Sequence, residues 1–494
     1  MKNKLIAAVI VLSSLFAAVS CRQAVLLVHD DWAPDVKKGL NDLVTIYGNA
    51  PEKQYAVFDF DNTSSIFDIT ENEMCFQLMT MSFEMSPERF SEVMSTDIPL
   101  EKAGYGIYVN DICSTYSYLY DKYGPFSYNG LSEQEMAVVM ADPVWERFAG
   151  KMFSFYSVME SNGDITIAYN WDKYWCCGMT DEQERDLAGR SHERFSRTET
   201  RVGEWNGRKY TLGFTITENI KELWRVLDAN GIDVWVCSAS GANAVMEAID
   251  MFGLRPYCSG VLAMTIGHDS RGRLANFYDY EGRALLPSEE GGWERDTLAI
   301  GAQTCRQGKV TGILNAIAPK YGGKGPIACF MDSTGDFNFC TEFADTKLVV
   351  CFNRGNRRIT DGGGLIAETA IYEREVLGYD LKKANEAGDI LFLLQGRDDN
   401  GLRSLRPSNA TLTLGAAEEK LFAGPENWAQ YRTMCDSSMT VKQIIEEFSI
   451  PFTEDYPGYR SIPANYEEKL SHSGRSDTDV TFIRPEPPGG FSRF

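Results

Sequence analysis

The sequence predicts an α/β fold: a Rossmann-like core of parallel strands with a large, mostly helical cap inserted after the first core strand. Three observations predict it. Tyr55-Ala56-Val57-Phe58 is a short apolar run ending at Asp59, the pattern of a buried strand. From about Ser65 to Ala229 the chain reads as helix, rich in Met, Tyr and Trp, with few β-branched runs. Strand-like and helix-like segments then alternate across residues 231–352, as a parallel sheet with flanking helices requires.

The elements follow in order. Residues 33–47 place Leu40, Leu43, Val44 and Tyr47 on one helical face. After the cap, Ile220 to Leu227 reads as a helix closed by Asn230-Gly231, a pair that tolerates positive φ. Ile232 to Cys237 is the second core strand, and Ala242 to Phe252 the next helix. Val261 to Ile266 reads as a strand with a turn at Asp269 to Gly272. Val310 to Ile317 is helical, and Ile327 to Met331 and Leu348 to Phe352 are strands. The expected division is 22–65 and 230–360 for the core, 66–229 for the cap and 361–494 for a C-terminal extension. That extension carries the apolar run Ile390 to Leu394, followed by Gln395-Gly396-Arg397, to which the sequence assigns no role.

Residues 1–21 form a targeting segment. Lys2 and Lys4 precede an apolar run from Leu5 to Ala18 that is short for a transmembrane span. Ala18-Val19-Ser20-Cys21 resembles a bacterial lipoprotein signal, with Cys21 as the lipidated residue, although Ala18 stands where leucine is usual. The other reading is an ordinary secretory signal cut nearby. Either way the expectation is an exported protein, periplasmic or an outer-membrane lipoprotein of a Gram-negative bacterium, touching the membrane only through its anchor.

The chain has 494 residues, 44% hydrophobic and 12% aromatic, enough for a substantial core. Its formal charge of -22 and lack of basic clusters exclude a nucleic-acid binder. Twelve cysteines are present, and export permits disulfides. Cys237, Cys329 and Cys351 lie inside strand-like runs, where free cysteine behaves as a small hydrophobe. Cys176-Cys177 has no CxxC companion, and the four histidines are scattered, so neither suggests a zinc or multi-histidine site.

Four signals for phosphoryl chemistry occur in one order. Asp59 ends a strand, where a carboxylate can attack phosphorus, and Asp61 two residues on can reach the leaving oxygen. The Asp61 carbonyl can turn to the same metal, and the Thr63 hydroxyl can steady the turn. Ser238 follows the second strand, and its hydroxyl with nearby backbone N–H groups such as that of Ala239 makes a phosphate cradle. Ser240 reads as a cap of the following helix. Lys309 heads a helix and can neutralise nucleophile and phosphate, with Lys324 as a rival. Asp332 ends another strand and suits Mg²⁺ as a hard oxygen ligand. Asp336 would hold a metal-bound water or orient the lysine. Each signal alone reads equally well as a turn, a cap or a solvated charge; the ordered set carries the argument.

The set Asp59/Asp61/Thr63, Ser238, Lys309 and Asp332/Asp336 resembles the haloacid dehalogenase superfamily in its phosphatase branch. VFDFDNT, VCSAS and GPIACFMDSTGDFNF are similar to the phosphorylcholine phosphatase-like members, and the long insertion also suits phosphoserine phosphatase-like ones. Met331 departs from the glycine many relatives carry there. The resemblance implies an aspartyl-phosphate on Asp59, acid and base work by Asp61, and Mg²⁺ between the Asp59 carboxylate, the Asp61 carbonyl and Asp332. Asp61 argues against a dehalogenase, whose members lack that second aspartate. The implied substrate is a small phosphomonoester, with phosphorylcholine and phosphoserine as leads. Tyr169 to Trp175 reads either as an aromatic cage for a quaternary ammonium or as ordinary cap core. Two further readings remain: a phosphotransferase using the same aspartyl-phosphate, and a non-catalytic binding lipoprotein with a relict site.

Overall fold

The computed structural model describes residues 23–197, 200–355, 361–401, 403–422 and 428–453. Cys21 and the targeting segment lie outside the described residues. Eight strands form the main sheet: β1 (Gln54–Phe58), β2 (Ile232–Gly241), β3 (Gly260–Met264), β4 (Arg283–Pro287), β5 (Trp293–Ala299), β6 (Ala328–Met331), β7 (Leu348–Phe352) and β8 (Leu391–Gln395). Their order is β8-β7-β6-β1-β2-β3-β4-β5. The first six are parallel, and β4 and β5 add an antiparallel edge. This is the expected parallel α/β core with its helical insertion after β1.

β1 sits at the centre because it is apolar on both faces. Phe58 pairs with Phe330 of β6 on one side and Val236 of β2 on the other, and its ring stacks on Phe330 at 3.8 Å. The chain builds outward from β1 in one direction through β2 and β3, then in the other through β6, β7 and β8. Ligands bind at such a reversal, beyond the carboxyl ends of the strands.

Helix α1 (Pro34–Tyr47) starts with proline at its first turn and buries Val36, Leu40, Leu43 and Val44 against β7 and β8. Gly39 lets it approach: a Cβ there would lie 2.6 Å from Leu393 Cδ1. Helix α2 (Glu218–Ala229) begins at Thr217, whose hydroxyl accepts the Ile220 N–H, and Gly231 after it takes φ +71°. It packs on β2 as part of the core, so the core resumes before residue 230.

The cap consists of helices Ile69–Thr80, Pro87–Met94, Tyr105–Tyr123, Glu133–Met140, Pro143–Ser161, Ile165–Trp171 and Asp181–Ser196 and a hairpin, Arg201–Trp205 with Arg208–Leu212. Its entry and exit strands are tied together: Ile66 and Thr215 exchange both backbone hydrogen bonds, at 2.8 and 3.3 Å. Phe83, Phe90, Tyr116 and Phe148 form its aromatic centre.

Two expectations need correction. The strand expected over 261–266 breaks after Met264, because Ile266–His268 leaves the sheet to pair with Leu274–Tyr278. That hairpin reaches the cap, with Leu274 N–H donating to Met179 O and Gly178 N–H to Leu274 O. The segment beyond residue 360 is also no simple appendage. Leu391–Gln395 pairs with β7 and completes the sheet, because its five consecutive buried residues need cover on both faces. Helix Gly362–Tyr372 covers part of it; a Cβ on Gly362 would meet Phe337 Cβ at 2.9 Å. None of the eleven cysteines among the described residues is in a disulfide, and Cys237, Cys329 and Cys351 are buried in β2, β6 and β7.

Candidate active site

Asp59, Lys309, Asp332 and Asp336 converge at the end of the central strands. The Asp59 N–H still continues the ladder, donating to Phe330 O at 3.0 Å, so its side chain projects from the tip of a fixed strand. Lys309 Nζ donates to Asp59 Oδ1 and to Asp336 Oδ1, each at 2.6 Å, with the lysine only 1% exposed. Asp336 Oδ2 accepts the N–H groups of Asp332 and Ser333 at 3.2 and 3.4 Å, which fixes the turn after β6. Oxygens of Asp59, Asp332 and Asp336 all lie within 4.8 Å of one another. Three buried carboxylates so close fit a hard divalent cation. Arg354 Nη1 donates to Asp332 Oδ2 at 3.0 Å, a contact the sequence did not suggest. Lys324, the rival lysine, pairs with Glu52 on the surface and has no part here.

The turn after Asp59 is tight. Asn62 takes φ +61° and Phe67 φ +73°. Asn tolerates that region, whereas an aromatic residue there costs on the order of 1–3 kcal/mol and persists only where its surroundings impose it. Ser64 Oγ donates to Asp59 O and Ser65 Oγ to Phe67 O, both at 2.7 Å. These serines do the steadying expected of Thr63, whose buried hydroxyl has no hydrogen-bond partner among the described residues.

Asp61 is held at both oxygens. Ile69 N–H donates to Oδ1 at 2.8 Å, and Ser240 Oγ donates to Oδ2. Ser240 in turn accepts from Thr70 Oγ1 at 2.7 Å. Ser240 was expected as a helix cap. β2 instead runs on through an irregular register to Gly241, so Ser240 faces the turn after β1 and the next helix begins without a side-chain cap. Ser238 is fully buried; its Oγ accepts the Ser240 N–H at 3.1 Å, and its carbonyl accepts from Thr304 Oγ1 at 2.5 Å. Ala239 packs against the cluster of Ile165 and Cys305, where cap meets core, as does Tyr169.

Burial raises both aspartates. Burial pushes the Asp61 carboxyl well above its ordinary range, Asp68 and Asp59 push it further, and the Ser240 hydrogen bond opposes them. Burial and the Asp336 charge raise Asp59 to about 8, opposed by Lys309. Burial would lower Lys309, but Asp336 and Asp59 hold it well above the usual lysine value. What distinguishes the two carboxyls is their partners: the Lys309 ammonium on Asp59, and a backbone N–H and a hydroxyl on Asp61.

Trp171, Tyr174 and Trp175 are completely buried in the cap, so they form its core and no cage. The adjoining Asp172 and Lys173 form a buried pair at 2.9 Å, and Asp172 Oδ1 has no hydrogen-bond partner. The charge of Asp68 bears on both Asp61 and Asp172. A second set, Glu73, Cys176 and Glu184, lies where the cap meets the core, with Asn243 Nδ2 donating to Glu184 Oε2 at 2.5 Å and Lys173 supplying positive charge.

Arg397 is the other residue that sequence reasoning left without a role. It follows β8, and residues just beyond a core strand point to the ligand side of the sheet. Its Nη1 donates to Asn62 O and its Nη2 to Asn62 Oδ1, both at 3.1 Å, while Asp399 pairs with its Nε at 2.7 Å.

No family model and no curated protein matches the chain. Among solved structures, a conserved functionally unknown protein from Anaerococcus prevotii is 22% identical and covers 78% of this chain and 98% of its own, with a TM-score of 0.56. That likeness concerns the fold alone. A protein of unknown function from Bordetella pertussis aligns over 61% of this chain and 90% of its own, at 10% identity and a TM-score of 0.33. Cytosolic 5'-nucleotidase IIIB bound to cytidine aligns over 84% and 97%, at 11% identity and a TM-score of 0.26.

Proposed function

We propose that the chain is a Mg²⁺-dependent phosphomonoester hydrolase working through an aspartyl-phosphate on Asp59. The observation that carries this reading is Lys309 bridging Asp59 and Asp336 beside Asp332, with Asp61 two residues from the nucleophile. Bound Mg²⁺ would be held by Asp59, the Asp61 carbonyl and Asp332, with Asp336 reaching it through water, and would offset the phosphate charge. Lys309 favours the ionised form of Asp59 against the effect of burial and orients the carboxylate for in-line attack. Ser238, the Ala239 N–H and Thr63 receive phosphate oxygens; the free Thr63 hydroxyl supports its part. Asp61 protonates the departing oxygen and then takes a proton from water, and its raised carboxyl suits the first step at neutral pH.

The substrate we infer is small and carries a cationic ammonium group, as phosphorylcholine and phosphoserine do. Asp68 puts negative charge beside Asp61 at the start of the cap, where a leaving group would lie, and Asp172, although paired with Lys173, has an unused buried oxygen. A panel of phosphomonoesters assayed with and without Mg²⁺ tests both statements. The expected result is turnover only with Mg²⁺, with higher kcat/KM for ammonium-bearing esters than for neutral alkyl ones. Absence of turnover across the panel would sink the phosphatase reading, and equal rates would sink the substrate class.

A further inference from the structure

We propose that Arg397 is a positioning residue for the metal site: it holds Asn62 so that the Asp61 carbonyl stays in place to ligate. This rests on the phosphatase reading above.

The geometry is specific. Asn62 is the only residue between Asp61 and Thr63, and Arg397 grips it twice, once on its backbone carbonyl and once on its side-chain oxygen. The guanidinium is itself buried and oriented, with Asp399 on its Nε and the Phe67 ring 5.8 Å from its centre. It therefore touches both left-handed residues of the loop, Asn62 and Phe67.

The consequence follows from peptide planarity. The Asn62 N–H donates to Phe67 O at 3.3 Å. In a planar trans peptide the preceding carbonyl, that of Asp61, points the opposite way. The orientation of that carbonyl thus depends on Asn62 remaining at φ +61°. A buried fork with two donors on one residue is suited to enforcing this, and a lysine, with a single donor head, cannot reproduce it. The segment supplying the fork lies 335 positions downstream and is anchored where the Arg397 N–H donates to Thr411 Oγ1 and the Asp399 N–H to Leu412 O. Partners that orient metal ligands typically change metal affinity by about 10–100-fold when removed.

The test is calorimetric titration of Mg²⁺ into the whole protein, alongside thermal melts and steady-state hydrolysis of p-nitrophenyl phosphate. Arg397→Met should raise the Mg²⁺ Kd by about tenfold or more. At saturating Mg²⁺ it should lower kcat while leaving KM little changed. Arg397→Lys should fall between Arg397→Met and wild type. A folded Arg397→Met with unchanged Mg²⁺ Kd overturns the proposal, as does a Kd change that a melt-matched core substitution reproduces. If Arg397→Met does not fold, Asp399→Asn keeps the guanidinium and frees its orientation. It should still raise the Kd, and an unchanged value overturns the proposal. Wild-type protein that binds no Mg²⁺ overturns the phosphatase reading along with this one. Wild-type binding with unaffected variants overturns this one alone.

Discussion

Lys309 and Asp59, 250 positions apart in sequence, meet at 2.6 Å with almost no exposure to solvent. A buried ammonium shared between Asp59 and Asp336 is an ion triad from which no member can be removed cheaply. Its two carboxylates also belong, with Asp332, to the cluster that fits a divalent cation, so charge balance and metal binding are the same problem in this molecule.

Replacing the nucleophile is the first check. Asp59→Asn should lower phosphomonoester hydrolysis by about a thousandfold or more, since one catalytic group removed from a cooperating set costs nearly the whole effect. Circular dichroism should show the fold retained. Activity near wild type in the folded variant would rule out Asp59 as nucleophile.

Removing the lysine tests the triad. Lys309→Met leaves two buried carboxylates without their counter-charge and should cost about 3–5 kcal/mol of stability. Added Mg²⁺ should raise the melting temperature more in this variant than in wild type, because the ion then supplies the missing positive charge and binds only the folded state. Differential scanning calorimetry with and without Mg²⁺ reads both effects. An equal Mg²⁺ response in the two proteins counts against a shared site.

Ser240→Ala addresses the general acid. The Ser240 hydrogen bond lowers the Asp61 carboxyl, so removing it should raise that group further. Activity that needs protonated Asp61 falls as pH rises through its pKa, so the alkaline limb of kcat against pH should move to higher pH. Losing this hydrogen bond should also loosen the hold on Asp61 and reduce kcat by up to about tenfold. An alkaline limb that stays put or moves down would remove Asp61 from that limb.

Stability should depend on pH through His192. Burial lowers this histidine to about 4; its Nε2 bonds Ala244 O at 2.8 Å and Nδ1 has no partner. The unfolded chain protonates near 6.5, so between about 6.5 and 4 it binds a proton the folded state refuses. Stability from this group is therefore complete above 6.5 and falls by about 3 kcal/mol as pH drops to 4. Glu73 and Glu184, raised to about 8 and 7 by burial, act in the opposite direction. Urea melts of wild type and His192→Phe across this range isolate the histidine, and identical pH slopes would refute the assignment.

Much of the site was legible because strand tips are legible. An apolar run ending in Asp marks both an element and the place where its next side chain projects, so Asp59 and Asp332 could be read locally, and order along the chain joined them to Ser238 and Lys309. Lys309 was separable from Lys324 only in space, where one is buried between carboxylates and the other meets Glu52 at the surface. Ser240 was misread because its local pattern is that of a helix cap, and only the continuation of β2 turns it to Asp61. The aromatic stretch at 169–175 carried no sign of which face meets the core.

By itself, then, the sequence determined the class of fold and the acidic residues that gather at the strand ends, because periodicity and strand-end chemistry are local properties. Tertiary structure alone decided what holds those groups. Ser240 on Asp61, Arg354 on Asp332 and Arg397 on Asn62 join residues 22 to 335 positions apart. Such contacts depend on strand register and on where the chain after β8 returns, and no local pattern records either.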